Sequence, residues 1–287
     1  MPVSSVRGEV NLEKRWLSGT GYKSSSVREN QSMSIIAVSS IKGGVGKTAA
    51  SVNLAYLSAL DGVQTLLCDM DCQGSASYYF RIRPAKKFNA KKFLKGGKHI
   101  DRNIRGTDYP KLDLLPADFS FRNLDIALNA SKASRKQLRR ILAPLRSEYG
   151  RIFLDCPPGL TLLSENIYRA ADRILVPLIP TTLSLLALKQ QVAFLKKIGQ
   201  NSTKVRVFFS MVEKRKKMHI ETMRRILKKN GFCPWPSPIW PTWKKWGSTV
   251  NRLRRLCPVR RRPWHTGSCG RKSGTLSMNR DGLLKCL

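Results

Sequence analysis

The sequence predicts an α/β fold, a mostly parallel sheet with helices on both faces, and three observations support this. Short apolar runs alternate with amphipathic helical segments, a pattern typical of parallel strands joined by crossover helices. A glycine-rich segment, residues 42–48, lies between the first apolar run and the first helix. Acidic residues follow two later apolar runs, and the carboxyl ends of parallel strands are where open α/β sheets bind ligands.

The elements follow in chain order. Strands are expected at six apolar runs: Ile35–Val38, Thr65–Cys68, Leu112–Leu115, Ile152–Leu154, Ile174–Val176 and Val205–Phe209. Apolar residues at helical spacing predict helices through Leu60, near Phe121–Leu128, along Leu138–Leu145, and at about residues 182–197 and 217–229. In the last helix we expect an inward face of Ile220, Met223 and Leu227, and an outward face of Arg224, Arg225, Lys228 and Lys229.

Composition divides the chain into three parts. Residues 1–32 are polar and serine-rich, which indicates a flexible extension, and Met33 directly precedes the first strand as an alternative start. Residues 33–232 carry the alternating pattern of the predicted domain. Residues 233–287 hold five of the six tryptophans and no helical or strand period, so they require a separate explanation.

The chain is strongly basic. Its 287 residues include 53 Lys and Arg against 18 Asp and Glu, a formal charge of +35. That excess indicates a polyanionic partner, most simply nucleic acid. No run approaches the roughly 20 apolar residues of a membrane span, and the first 32 residues contain no apolar signal core. We therefore expect a cytoplasmic protein without stable membrane anchoring.

The glycine-rich segment predicts a phosphate-binding loop. It reads Lys42-Gly43-Gly44-Val45-Gly46-Lys47-Thr48, followed by Ala49. Glycines let successive backbone N–H groups point at phosphate oxygens, and the following helix adds its positive amino end. In such a loop the second lysine pairs with phosphates and the threonine hydroxyl can bind Mg²⁺. The strict motif requires glycine at position 41, where this chain has Ile41.

Two acidic sites stand at predicted strand ends. Asp69 and Asp71 end the second apolar run, and Asp155 ends the run Ile152–Leu154. Nucleotide hydrolysis needs carboxylates that hold a metal and orient the attacking water. Cys68, Cys72 and Cys156 flank these sites. Because no Cys-x-x-Cys pair occurs, we expect buried structural thiols rather than a metal or redox site.

These three motifs resemble the ParA/MinD family of deviant Walker A P-loop ATPases, with the greatest likeness to ParA-type (Soj-like) partitioning ATPases. The resemblance runs from about Met33 to Phe232 and includes the segment Val176–Ser184. It implies a weak ATPase that binds ATP and Mg²⁺ and forms a homodimer when ATP is bound. It also implies association with non-specific DNA on the nucleoid and release by a ParB-like partner, so that a plasmid, chromosome or other cargo is positioned.

The resemblance also implies residue roles. Lys42 would be the signature lysine that reaches the partner's nucleotide across the dimer, and Asp71 would position the attacking water. The nucleotide would be bound by the loop and the start of its helix: Gly43, Gly44, Val45, Gly46, Lys47, Thr48 and Ala49. Thr48, Asp69 and Asp155 would form the Mg²⁺ site.

A basic segment near residue 215 is the predicted DNA-binding surface. Lys214, Arg215, Lys216 and Lys217 lead into the last helix, which adds Arg224. Arg215 stands where ParA-like proteins often carry a DNA-binding arginine. Contacts to phosphates would be independent of sequence and steeply dependent on salt.

The tail admits two explanations. Residues 233–287 contain 12 basic residues and one acid, which fits a disordered tail that binds DNA. Alternatively, codons for Cys233–Gly247, read from the last base of the Phe232 codon, permit Leu-Pro-Val-Ala-Ile-Pro-Tyr-Leu-Ala-Asp-Val-Glu-Lys-Met-Gly. That reading resembles the segment that family members have here, and it predicts a one-base loss in the gene. Two functional alternatives stay open: a metabolic ATP-dependent ligase of the cobyrinate-synthase type, and a defective frameshifted product.

Overall fold

The fold is built on one seven-stranded sheet. The computed structural model describes residues 34–130, 135–213 and 215–227. Strands comprise β1 (Ser34–Val38), β2 (Thr65–Asp69), β3 (Arg105–Gly106), β4 (Leu112–Leu115), β5 (Arg151–Asp155), β6 (Arg173–Leu178) and β7 (Val205–Phe209). The spatial order is β3-β4-β2-β5-β1-β6-β7. All pairs are parallel except β3 with β4, as the sequence predicts for all six of its expected strands.

Helices connect the strands. They comprise α1 (Lys47–Leu60), α2 (Ser75–Tyr79), α3 (Ala90–Lys95), α4 (Lys98–Asp101), α5 (Leu124–Asn129), α6 (Gln137–Leu142), α7 (Leu162–Ala170), α8 (Thr182–Lys197) and α9 (Lys217–Leu227). Short 3₁₀ turns occur at Phe119–Asn123, Pro144–Ser147 and Ser202–Lys204. Within the described ranges, none of these helices combines the length and apolar composition needed to cross a bilayer.

The two faces of the sheet are covered by different helices, because successive strand residues point to opposite sides. On one face, Ile35 and Leu66 belong to a large buried cluster with residues from α3 to α9. On the other face, Leu67 and Phe153 pack with Ala55 of α1. The side of α1 that is buried consists mainly of small residues: Ala50, Ser51, Ala55, Ser58 and Ala59.

Three features differ from the sequence-based expectations. The strand β3, the short helices α2 to α4 and the helix α7 were not predicted. Segments of two to six residues carry too few positions to show a period, and the buried side of α7 includes the polar residues Ser164 and Asn166. The helix expected near Phe121–Leu128 divides into a 3₁₀ turn and α5, and the helix expected along Leu138–Leu145 ends at Leu142, before the 3₁₀ turn at Pro144–Ser147. The predicted inward face of α9 is wrong by one residue: His219, Thr222 and Ile226 are buried, whereas Ile220 and Met223 are half-buried.

The predicted outward face of α9 is confirmed for Arg224 and Arg225, which are exposed. Lys228 and Lys229, the side chain of Leu227, the extension 1–32 and the tail 233–287 lie outside the described residues. The two explanations of the tail therefore stay predictions.

Candidate functional site

The predicted site residues lie at the carboxyl ends of the parallel strands. Asp155 at the end of β5 is in register with Val38 of β1 on one side and with Asp69 of β2 on the other. The loop after β1 leads into α1. Three segments that are far apart in sequence therefore meet because β5 lies between β1 and β2. This strand order is what brings the phosphate loop and the acidic residues together.

The phosphate loop is shaped by glycines. Gly44 and Gly46 have φ angles of 68° and 88°, values that L side chains rarely adopt. A Cβ atom on Gly43 or Gly44 would meet nothing within 4 Å, whereas one on Gly46 would lie 3.2 Å from the Ser210 Oγ atom. The loop is therefore open at Gly43 and Gly44 and supported at Gly46, which immediately precedes α1.

Ser210, which follows β7, holds the far side of the loop. Its hydroxyl donates a hydrogen bond of 2.9 Å to the Val45 carbonyl oxygen, and its side chain is buried. Val45 is also buried, at 1% exposure. The loop backbone is thus held by the residue that follows the edge strand β7, a contact for which sequence spacing carries no signal.

Lys47 is the buried cation of the site. Its ammonium group donates to the Lys42 carbonyl oxygen at 3.2 Å, and its residue is 8% exposed. Burial lowers the pKa of this ammonium, while attraction to Asp155 and Asp71 opposes that change. Lys47 therefore lies close to the acidic strand ends, as the motif predicts. Lys42 is half-buried, and Ala49 lies in the first turn of α1.

Asp155 is the most confined carboxylate. Its Oδ1 atom accepts from the Ser51 hydroxyl at 2.8 Å, and the Thr48 hydroxyl also hydrogen bonds to this side chain. Its Oδ2 atom is buried and has no hydrogen-bond partner within the described residues. Burial raises the pKa of Asp155 to about 7, and the charge of Asp69 contributes to that rise. A cation at Oδ2 would satisfy this atom and favour the ionised form.

Asp69 is bonded mainly to the polypeptide. Its Oδ2 atom accepts from the Ser77 backbone N–H at 2.8 Å and from the Ser77 hydroxyl at 2.7 Å, and its Oδ1 atom accepts from the Asp71 N–H at 3.3 Å. The Ser77 hydroxyl in turn accepts from the Ala117 N–H at 3.0 Å. Burial raises the pKa of Asp69, and the Ser77 hydrogen bonds oppose that rise. Its contacts fix the position of α2 and of the Asp71 loop.

Asp71 lies at the start of a tight turn. Its Oδ1 atom accepts from the Gln73 N–H at 3.0 Å, and its carbonyl oxygen accepts from the Gly74 N–H at 2.9 Å. Gly74 has a φ of 63° and immediately precedes α2. The half-buried Asp71 is therefore held by its own turn, and its other carboxylate oxygen forms no hydrogen bond within the described part of the chain.

The three flanking cysteines are free thiols in two environments. Cys68 and Cys156 are buried, and burial raises the pKa of both. Cys72 is only half-buried, so the expectation of a buried thiol is wrong at this position. The reason is that Cys72 lies in the Asp71 turn rather than in a strand. No cluster of three or more His, Cys, Asp or Glu residues suited to a metal occurs in the described ranges.

Three buried, hydrogen-bonded side chains connect α7 and α8 to the start of the phosphate loop. The Ser39 and Tyr168 hydroxyls lie 2.9 Å apart, and the Gln191 amide donates to the Tyr168 oxygen at 2.9 Å. Ser39 follows β1 directly, whereas Tyr168 and Gln191 belong to α7 and α8. These hydrogen bonds fix the entry to the phosphate loop against the helical layer. Ser39, Ser51, Ser77 and Ser210 were not predicted as site residues, because isolated serines carry no pattern.

The predicted DNA-binding segment is exposed. Arg215, Lys217 and Arg224 are exposed and make no ion pair with other described residues. Lys216 is ion-paired with Glu213 at 2.6 Å, and Lys214 lies outside the described residues. The Glu213 N–H donates to the buried His219 Nδ1 at 3.1 Å, which attaches this segment to α9.

Known proteins share this arrangement. A family model described as an AAA domain matches residues 33–207. The chromosome-partitioning ATPase Soj of Treponema pallidum is 31% identical over 189 residues, covering 64% of this chain and 74% of Soj. The chain belongs to the ParA-type ATPases of the AAA domain family. The sporulation initiation inhibitor Soj of Bacillus subtilis is 35% identical over 144 residues, covering 50% of this chain and 57% of that protein.

Solved structures agree on the fold. A plasmid partition protein of Borrelia burgdorferi bound to AMPPNP is 26% identical, with a TM-score of 0.62 over 70% of this chain and 84% of that chain. A cobyrinic acid a,c-diamide synthase of Mycobacterium smegmatis with a bound ATP analogue and magnesium has the same score and coverage at 23% identity. The second likeness concerns the fold alone. This chain spans only about half the length of several ParA-type relatives.

Proposed function

We propose that this chain binds ATP with Mg²⁺ and hydrolyses the nucleotide to position DNA-linked cargo. The observation that carries the proposal is the buried Asp155 Oδ2 atom beside Lys47 and Thr48, which has no hydrogen-bond partner among the residues that the structure describes. A buried carboxylate oxygen without a partner is costly unless a cation satisfies it. The residues present therefore fit a magnesium nucleotide.

Each site residue then has a role. The loop N–H groups and the amino end of α1 bind the phosphates, because Gly43, Gly44 and Gly46 leave the backbone accessible. Lys47 neutralises phosphate charge. Thr48 and Asp155 hold Mg²⁺, whose contribution is to neutralise charge that develops on the phosphates. Hydrolysis also needs an oriented water, and the one-sided hydrogen bonding of Asp71 leaves an oxygen to accept it.

Asp69 acts on the site through Asp71 in this scheme. Its bonds to Ser77 and to the Asp71 N–H hold the turn that presents the Asp71 carboxylate. We expect Asp69 to support the metal site by position and charge.

ATP-dependent dimerisation is supported by the surface around the loop. Leu183 and Leu186 of α8 are 69% and 52% exposed, and Met211 after β7 is 49% exposed. The Met211 Cε atom lies 3.7 Å from where a Gly46 Cβ would be. The exposed Met211 beside the phosphate loop, and the exposed leucines near the start of α8, favour a second copy covering this surface, with Lys42 reaching the nucleotide of that copy.

Association with DNA, stimulation by a ParB-like partner and a nucleoid-associated place in the cytoplasm are also part of the proposal. The net charge of +35 supports a polyanionic partner. The Soj relatives support partitioning, because the Treponema pallidum protein is a chromosome-partitioning ATPase. Arg215, Lys217 and Arg224, with Lys214 and Lys216, are the proposed contacts to the phosphate backbone.

The deciding experiment measures ATP turnover and DNA binding on the same preparation. We expect slow hydrolysis that rises when duplex DNA and a ParB-like protein are added, and DNA binding that requires ATP. A version with the restored reading frame after Phe232 is the matched control for the tail. Amide formation from a small carboxylic acid, with turnover indifferent to DNA, would instead support a ligase.

A further inference from the structure

A second basic surface lies away from the segment around Arg215. Residues 86–102 contain seven basic residues and one acid, and residues 135–146 contain five basic residues and no acid. Nothing in the phosphate-loop chemistry uses them. The first segment follows β2 and includes α3 and α4, whereas the second includes α6 and precedes β5.

The fold brings these two segments together. The Gln137 side-chain amide of α6 donates to the Leu94 carbonyl oxygen of α3 at 2.7 Å. A Cβ on Gly96, at the end of α3, would lie 3.5 Å from the Ile141 side chain. Phe93 and Leu138 are buried in the cluster beneath both helices. The outward residues form one surface, the α3–α6 face: Lys91, Lys95, Lys98, Lys136, Arg139 and Arg140.

The charges of the α3–α6 face are not neutralised by other residues that the structure describes. All six side chains are exposed, and none makes an ion pair with another described residue. The nearest pair in these segments is Arg135 with Glu165, at 3.6 Å. Arg139 also contributes to lowering the pKa of Lys204, after the larger effect of burial. The fold thus concentrates cations whose repulsion it does not offset, which indicates a polyanion.

The residue types on the α3–α6 face favour duplex DNA over a membrane surface or single-stranded nucleic acid. Within the described residues, α3, α4 and α6 carry none of the exposed large apolar side chains. A membrane surface would favour apolar side chains between the cations, and single-stranded nucleic acid would favour aromatic ones. Helices of four to six residues are about 6–9 Å long, too short to read bases along a groove. Lysines and arginines on such helices suit duplex phosphates.

We propose that the α3–α6 face binds the phosphate backbone of double-stranded DNA, as a site additional to the segment around Arg215. The proposal rests on the DNA association included in the proposed function. Arg215 follows the carboxyl end of β7, whereas α6 leads through Pro144–Ser147 to the amino end of β5. One basic region therefore starts at the carboxyl ends of the strands, and the other leads to their amino ends. The two regions would bind separate phosphates.

The test compares two full-length variants from which the same amount of charge is removed. The face variant carries Lys91→Gln, Lys95→Gln, Arg139→Gln and Arg140→Gln. The control variant carries Arg173→Gln, Lys189→Gln, Lys196→Gln and Lys197→Gln, all at exposed positions. Fluorescence anisotropy with a labelled duplex of about 30 base pairs, measured over a range of salt with ATP and Mg²⁺, gives affinity and its salt dependence.

We expect the face variant to bind the duplex at least about tenfold more weakly than the unmodified chain. The slope of log K against log salt should become less steep by about 0.9 for each phosphate that the variant no longer neutralises. The control variant should stay within about twofold of the unmodified chain. A third variant with Lys91→Arg, Lys95→Arg, Arg139→Lys and Arg140→Lys should retain the affinity and slope. Circular dichroism of the face variant should match the unmodified chain, because the substituted side chains are exposed.

Four results would overturn the proposal. Equal weakening in the face and control variants would mean that only net charge matters. Loss of binding to anionic phospholipid vesicles, with DNA binding intact, would assign the face to a membrane. If the unmodified chain binds no DNA in any nucleotide state, the DNA association in the proposed function is wrong as well. If the unmodified chain binds DNA and the face variant has the same salt slope, only the proposed α3–α6 site is wrong.

Discussion

Lys47 and the cations of the α3–α6 face have opposite surroundings. Lys47 is 8% exposed and lies close to Asp155 and Asp71. Lys91 and Arg139 are exposed and have no ion-pair partner among the described residues. In a desolvated site one charge interacts strongly with its neighbours, whereas in water each charge contributes little and is screened by salt. Single substitutions around Lys47 should therefore change nucleotide binding or turnover strongly. On the α3–α6 face, several substitutions together should be needed to change DNA binding strongly.

The largest effect is expected at Lys47. Lys47→Ala removes the cation that faces the phosphates and leaves Asp155 and Asp71 without its attraction. We expect the affinity for a fluorescent ATP analogue to fall by at least about 100-fold, or ~2.7 kcal/mol. Lys197→Ala, an exposed lysine of α8, is the matched control. Nucleotide affinity that survives in Lys47→Ala would remove the phosphate-loop assignment.

Substitution of Asp71 tests whether nucleotide affinity and ATP turnover depend on different residues of the site. Asp71→Ala should leave nucleotide affinity within a fewfold of the unmodified chain, because its bonds are confined to its own turn. Turnover should fall by at least about 100-fold if this carboxylate orients the water. Asp108→Ala, at an exposed residue paired with Arg81, controls for loss of a carboxylate. Normal hydrolysis by Asp71→Ala contradicts the assignment.

Asp155 gives the buried region a pH dependence that the exposed surface lacks. Its pKa is raised to about 7 in the fold, so the folded state binds its proton more tightly than the unfolded chain does. Without Mg²⁺, the free energy of unfolding should therefore decrease as the pH rises between about 4 and 7. Asp155→Asn should reduce this decrease and be more stable than the unmodified chain above about pH 8, while the raised pKa of Asp69 keeps the remainder.

Urea denaturation in the presence of a chelator, at about pH 5 and about pH 8, checks this prediction. Asp108→Asn should keep the pH dependence of the unmodified chain, because Asp108 is exposed. Identical pH profiles for Asp155→Asn and the unmodified chain would mean that another group carries the dependence.

The smallest effect is expected at Arg215. Arg215→Ala removes one exposed cation that forms no ion pair with another described residue. DNA affinity should therefore fall only about two- to fivefold, and the salt slope by about 0.9. The decrease should be equal on unrelated duplex sequences, which competition with several oligonucleotides measures. Lys216→Ala should matter less, because Glu213 already pairs with that lysine. Weakening on one sequence alone would indicate base readout.

Much of the fold could be predicted because its signals are local. All six expected strands occur, since each is a short run rich in apolar residues, and all but β7 are mostly buried. The short strand β3 and the helices α2 to α4 and α7 could not be predicted, because their conformation depends on tertiary packing more than on local pattern. The buried stripe of α9 was misplaced by one residue, since His219 is buried through a hydrogen bond to Glu213 rather than through apolar character.

The sequence by itself determined the residue types of the site: the glycines of the loop, Lys47, Thr48 and three strand-end aspartates. Only the tertiary structure decided which of their atoms have partners. Strand order placed Asp155 between β1 and β2, Ser51 and Ser77 satisfied particular carboxylate oxygens, and the Asp155 Oδ2 atom was left unsatisfied. The same packing joined two separate basic segments into the α3–α6 face. Composition is a property of the chain, whereas hydrogen bonding and charge proximity depend on contacts between residues distant in sequence.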